Sequence, residues 1–124
     1  MVENKKIIVD GIEYIPKGSE ANTKAPLKKG MEYCIVRTYS AGVFAGYIDR
    51  KIKGQENTVC EARRLWYWDG AASLSQLANE GVKKPTNCKF AQEVPEVDLK
   101  NIIEVIPCTS KAQEIIKGVK IWEQ

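Results

Sequence analysis

Three β-rich runs follow one another from residue 31 with only short turns between them: MEYCIVRTYS, AGVFAGYIDRKIKG and ENTVCEARRLWYWD. β-branched and aromatic residues dominate each run, and Gly-rich or polar residues separate them. That pattern reads as an antiparallel meander. Helical signals come only afterwards. AASLSQLANEG offers Ser73 as an N-cap, Leu74 and Leu77 as a short apolar face, and Gly81 as the residue past the end. SKAQEIIKGV offers Thr109 or Ser110 as a cap and ends at Gly118. Strands first and helices late predict an α+β fold, an antiparallel sheet with two short helices toward the C-terminus.

The flanking segments fit one domain. The chain has 124 residues, enough for a single core and too few for two. Within 1–124, residues 1–30 read as a hairpin followed by a polar loop, and 31–124 as the main body. The hairpin is KIIVDGIEYIP, turning at Asp10-Gly11. The loop, KGSEANTKAPLKKG, carries Lys17, Lys24, Lys28 and Lys29, which read as solvated. VKKPTNCKFAQEV reads as a loop leading into a short strand, IIEVIPCT as a further strand, and Trp122 as a side chain docking on the body. Glu93, Glu96 and Asp98, dispersed by Pro95, read as solvated loop carboxylates.

Composition narrows the chemistry. Histidine is absent, which removes Ser-His-Asp and Cys-His catalysis and the commonest metal ligand. No carboxylate pair has an acid/base spacing. Cys34, Cys60, Cys88 and Cys108 form no C-x-x-C pair and read as reduced, structural thiols. The expectation is a binding protein with no catalytic residues, no metal and no cofactor. A net charge of +3 suits a small anion better than duplex DNA. No apolar run approaches a membrane span, and MVENKKIIVDG does not read as a signal peptide, so a cytoplasmic location is expected.

The densest chemistry lies in ARRLWYWDGAASL. On a regular strand Val59, Glu61, Arg63, Leu65 and Tyr67 share one face, and Cys60, Ala62, Arg64, Trp66 and Trp68 share the other. Each face then holds one arginine among apolar groups. Such a guanidinium must reach a rim, a carboxylate or a ligand, because burying it unpaired is very costly. Core packing accounts for the tryptophans equally well, with the arginines snorkelling to the edge. The functional alternative is a nucleotide platform, with indoles stacking a base and an arginine fork holding phosphate. Arg64 is favoured over Arg63 because it shares its face with both tryptophans; one bulge would invert that choice.

Two neighbouring stretches could complete such a site. In TYSAGVFAGY, Gly42 and Gly46 bracket Val43 and Phe44, after the hydroxyls of Thr38 and Ser40. A tight strand connection explains this, and so does a small-residue wall whose N–H groups face ribose or phosphate. It is neither a P-loop nor a dinucleotide fingerprint. In DGAAS, before the first helix, Ser73 as a plain N-cap is the simpler account, and Asp69 would oppose an anion there.

TYSAGVFAGY, ARRLWYWDGAASLSQLANEGVKKPTNCKF and IIEVIPCTSKAQEII with the terminal Trp122 together resemble a family of small phage and prophage proteins. That family is the Thoeris anti-defence sponge, first type described. The resemblance spans roughly residues 31 to 122. It implies sequestration, without degradation, of a cyclic ADP-ribose isomer (glycocyclic ADP-ribose) made by a host TIR-domain defence protein. It also implies a homodimer or higher homo-oligomer in the bacterial cytoplasm, and for some members a second capacity for cyclic oligonucleotides. The ligand residues expected from the chain itself are Arg64 or Arg63 on phosphate, Trp66, Trp68 or Phe44 on the base, and Ser40, Gly42 and Thr38 along the ribose or phosphate. The alternative is a phage accessory protein that binds single-stranded nucleic acid on the same aromatic and basic strand, a reading the low net charge disfavours.

Overall fold

A computed structural model describes residues 23–124 and, before them, the backbone of two short strands. Those strands, β1 (Ile7–Val9) and β2 (Ile12–Tyr14), pair antiparallel with Val9 opposite Ile12. The expected turn residues Asp10 and Gly11, and the first part of the polar loop with Lys17, lie outside the described residues.

The three β-rich runs form β3 (Glu32–Thr38), β4 (Val43–Ile48) and β5 (Asn57–Tyr67), paired as a meander. Two strands then add to β5: β6 (Lys89–Phe90) and β7 (Val94–Leu99). The last strand, β8 (Ile102–Pro107), returns to the far edge beside β3. The result is a six-stranded antiparallel sheet with two helices, an α+β fold. The expected surface loop around Pro95 is corrected here: Glu96 and Asp98 belong to β7, and Asp98 accepts from the Thr58 hydroxyl at 2.7 Å. Proline is tolerated because β7 is an edge strand, where a missing N–H costs no ladder bond.

The sheet cannot be flat. Between β7 and β8 lie three strands, β5, β4 and β3, so four inter-strand spacings of about 4.8 Å would part them by about 19 Å. Only Lys100 and Asn101 join Leu99 to Ile102, a reach of about 11 Å at full extension. The edges must therefore curl toward each other. Backbone bonds at the junction hold the curl: Tyr39 N–H donates to Asn101 O and Ile102 N–H to Gln55 O, each at 2.9 Å. Inside it pack Cys34, Val36, Phe44, Ile48, Val59, Ala62, Leu99 and Ile102. The outer face carries a second core, with Tyr33, Ile35, Ala45, Tyr47, Leu65 and Phe90 against the helices.

Those helices are α1 (Leu74–Glu80) and α2 (Ser110–Gly118). Ser73 caps α1 by accepting from Gln76 N–H, and the Gln76 side chain reaches back to Ala72 N–H. Thr109 caps α2 in the same way, through Ala112 N–H. Leu77 and Ala78 of α1, and Ala112 and Ile116 of α2, are buried against the sheet.

One irregularity decides the site. Between Ala45↔Arg63 and Tyr47↔Cys60 the register of β4 and β5 slips by one, so Gly46 faces both Glu61 and Ala62. This is a β-bulge, and Glu61 sits in it at φ 50. A Cβ on Gly46 would lie 2.6 Å from Val59 Cγ1 and 2.8 Å from the Cys60 carbonyl oxygen, so only glycine fits there. The expected face alternation is corrected accordingly. Glu61, Arg63 and Leu65 do face the helices, but Val59 joins the interior of the curl and Cys60 changes to the helix side.

Candidate functional site

At one end of the sheet the β3–β4 turn and the end of β5 enclose a groove of about 540 Å³. That lies within the range of about 300–1,000 Å³ usual for small-molecule sites. Ser40, Ala41, Gly42 and Val43 form one wall; Arg64, Leu65, Trp66 and Trp68 form the other. The chain conformation makes the first wall. Thr38 Oγ1 donates to Gly42 O and accepts from Ala41 N–H, both at 2.8 Å, and Gly42 takes φ 96. Few other residues adopt that conformation without strain. Thr38 is thus a buried staple of the turn and does not line the groove, contrary to its expected ligand role. Ser40 lines it, with its hydroxyl accepting from Asn101 Nδ2 at 2.8 Å.

The two adjacent arginines have separate fates. Arg63, expected as a possible phosphate ligand, is corrected to a structural residue, only 3% exposed. Its Nε donates to Ala91 O at 2.8 Å, Nη1 to Ile116 O at 2.6 Å, and Nη2 to Val119 O at 2.5 Å and Phe90 O at 3.4 Å. Two of those carbonyls end α2, where the chain leaves acceptors unsatisfied and the helix dipole favours a cation. Burial lowers the pKa of Arg63 from the usual arginine value, and the side chain stays charged.

Arg64 points the other way. Its guanidinium carbon lies 4.7 Å from the centroid of Phe44 and 6.0 Å from that of Trp66. Its Nε is buried without a hydrogen-bond partner, and among the described residues it has no carboxylate partner. Phe44, expected to stack a base, is buried beneath this guanidinium and carries it. A cation laid on a ring, lining a groove with unused donors, is equipped to receive an anion. Trp66 is 61% exposed on the groove wall. Trp68 lies past the end of β5 and packs partly on the helix-side core while still lining the groove. Arg64, Trp66, Trp68, Gly42 and Ser40 are therefore brought together, and Arg63, Thr38 and Phe44 are not part of the lining.

The turn before α1 offers no comparable feature. Asp69 is occupied by Asn87, which donates to its carboxylate at 3.1 Å. On the helix side Glu61 is clasped by Lys28 and Lys117, and Lys117 also meets Glu93 at 3.4 Å. The hydrogen bond from Lys28, with that from Lys117, holds the Glu61 carboxyl below the usual range. Lys117 is shifted upward: burial opposes its charge, but the bond to Glu61 and the nearby carboxylates outweigh it. Burial pushes the thiols of Cys34 and Cys108 up to about 12. All four cysteines are free, and among the described residues no cluster could hold a metal. No described helix is long and apolar enough to cross a membrane.

Sequence reasoning missed one participant at the rim. Trp122 packs edge-on against Trp66, with ring centroids 6.4 Å apart. Its docking was foreseeable from its type, but its partner was not.

Fold and site define a small α+β domain with a cation–aromatic groove at the end of a curled sheet. The chain belongs to the family described as Domain of unknown function (DUF6948), whose model matches residues 31–116. No curated protein and no solved structure matches the chain.

Proposed function

We propose that this protein is a non-enzymatic sponge that sequesters a cyclic ADP-ribose-type signal made by a TIR-domain defence system, acting as a homo-oligomer in the bacterial cytoplasm. The reading begins from the resemblance of the AGVFAG and RRLWYWDGAASL stretches to the Thoeris anti-defence sponges. The observation that carries it is Arg64, a guanidinium stacked on Phe44 with a buried, unpartnered Nε in a groove walled by two indoles. A cyclic ADP-ribose has a purine to stack, a pyrophosphate for a fork and riboses for small-residue donors. The indoles, Arg64 and the Ser40–Val43 wall offer these in one place.

The test is to incubate purified protein with a TIR-generated cyclic ADP-ribose extract, filter it, heat the retained protein and measure both fractions by mass spectrometry. Intact nucleotide released only on heating supports the sponge. Arg64→Ala should then lose capture at least tenfold while its thermal unfolding stays close to wild type, because the Arg64 side chain makes no hydrogen bond among the described residues and its main-chain bond from Ala91 N–H survives the substitution. Unbound nucleotide in the filtrate refutes the reading. Salt-sensitive binding of oligonucleotides of any sequence would then favour a single-strand binder, and a cleaved product would mean an enzyme.

A further inference from the structure

A succession of cations and rings runs across the end of the sheet from the C-terminal tail into the groove. Lys89 Nζ lies 5.6 Å from the centroid of Trp122. Trp122 meets Trp66 edge-to-face, their planes 66° apart. Arg64 then lies between Trp66 and Phe44. Trp66 is the most exposed of the three rings, and it is the one that forms the groove wall. An indole this exposed is free to change rotamer unless a neighbour restrains it. A wall that must be ordered when the ligand arrives loses affinity to that ordering.

The tail is held where it can supply the restraint. Trp122 N–H donates to Phe90 O at 2.9 Å, and Ile121 bridges to Phe90. Arg63 grips Val119 O just upstream. Phe90 belongs to β6, which pairs with β5 at Leu65 and Tyr67, the two residues flanking Trp66. Tail and indole are therefore fixed to one short two-stranded frame.

We infer that Trp122 is a positioning residue of the groove: it holds Trp66 as a preformed stacking wall, and Lys89 steadies Trp122 from outside. The consequence for binding rests on the nucleotide reading above; the consequence for Trp66 does not. The test therefore has two readouts on the full chain. In a Trp68→Phe background, Trp122→Ala and Trp122→Phe each leave Trp66 as the single indole. Time-resolved anisotropy should show added nanosecond wobble of Trp66 with Trp122→Ala and restoration with Trp122→Phe. With Trp68 intact, calorimetric titration with the TIR-made cyclic ADP-ribose should show Trp122→Ala weakening binding about three- to tenfold, with Trp122→Phe close to wild type. Lys89→Ala should weaken binding in the same way by less, and in the Trp68→Phe, Trp122→Phe background, where Trp66 is again the single indole, it should loosen Trp66 by less; it decides the matter if Trp122→Ala fails to fold. Unchanged wobble of Trp66 overturns the inference. So does unchanged affinity in a wild-type protein that binds. A wild-type protein that binds no nucleotide while Trp66 loosens as described refutes the nucleotide reading and leaves Trp122 as the residue that orders Trp66.

Discussion

Replacing Arg63 with alanine should be the most destructive single change in the Arg63–Arg64 pair, although alternation along a strand makes the two look equivalent. The side chain makes four charge-assisted hydrogen bonds to main-chain carbonyls. Each is worth roughly 1.5–3 kcal/mol in isolation. They will not add, since removal lets the end of α2 relax and water enter. The loss expected for stripping the donors from such a buried cluster is about 3–5 kcal/mol, set against a total stability of about 5–15 kcal/mol. For a domain of this size that lowers Tm by about 10–20 °C. Arg63→Lys should recover less than half, because one ammonium cannot reach carbonyls lying in four directions around a planar fork. Urea unfolding followed by tryptophan fluorescence, with calorimetry as a second probe, measures both. Arg64→Ala is the control and should stay within about 1 kcal/mol, the scale of an exposed cation–π contact. An Arg63→Ala protein within about 1 kcal/mol of wild type would refute the account of Arg63 as the tie between β5 and α2. An Arg64→Ala protein that unfolds would show that the groove arginine is structural.

Two further outcomes follow from the ionisable groups. The Glu61 carboxyl has a lower pKa folded than unfolded, so its contribution is present above its ordinary value of 4.5 and is lost as pH falls through the depressed folded value. Glu61→Gln should flatten the acid limb of the stability profile between about pH 5 and 3; an unchanged slope would mean that the Lys28 and Lys117 clasp contributes nothing. Cys34 and Cys108 are buried with pKa values up to about 12, so they should resist a thiol reagent at pH 8 in the native protein and react only on unfolding. Peptide mapping of the labelled protein checks this, and equal, rapid labelling of all four cysteines would contradict the burial described.

What could be read from the sequence is what local physics controls. The β-rich runs announce β3, β4 and β5 because side-chain crowding favours extended backbone there. Ser73, Gly81 and Thr109 mark helix ends because short polar side chains and glycine satisfy orphan backbone groups within a few residues. The groove residues Ser40, Gly42, Arg64, Trp66 and Trp68 stand out for the same local reason, by density of type. Long-range packing decided the rest. Gly46 admits a bulge from a strand more than a dozen residues away, and that bulge moved Val59 and Cys60 to faces that alternation did not assign them. Arg63 and Arg64 are adjacent and chemically identical. Only the arrival of the α2 carbonyls on one side and Phe44 on the other separates a buried tie from a groove cation. Trp122 meets Trp66 across 56 positions of chain. No local pattern encodes that contact, because it depends on β6 bringing the tail to the end of β5.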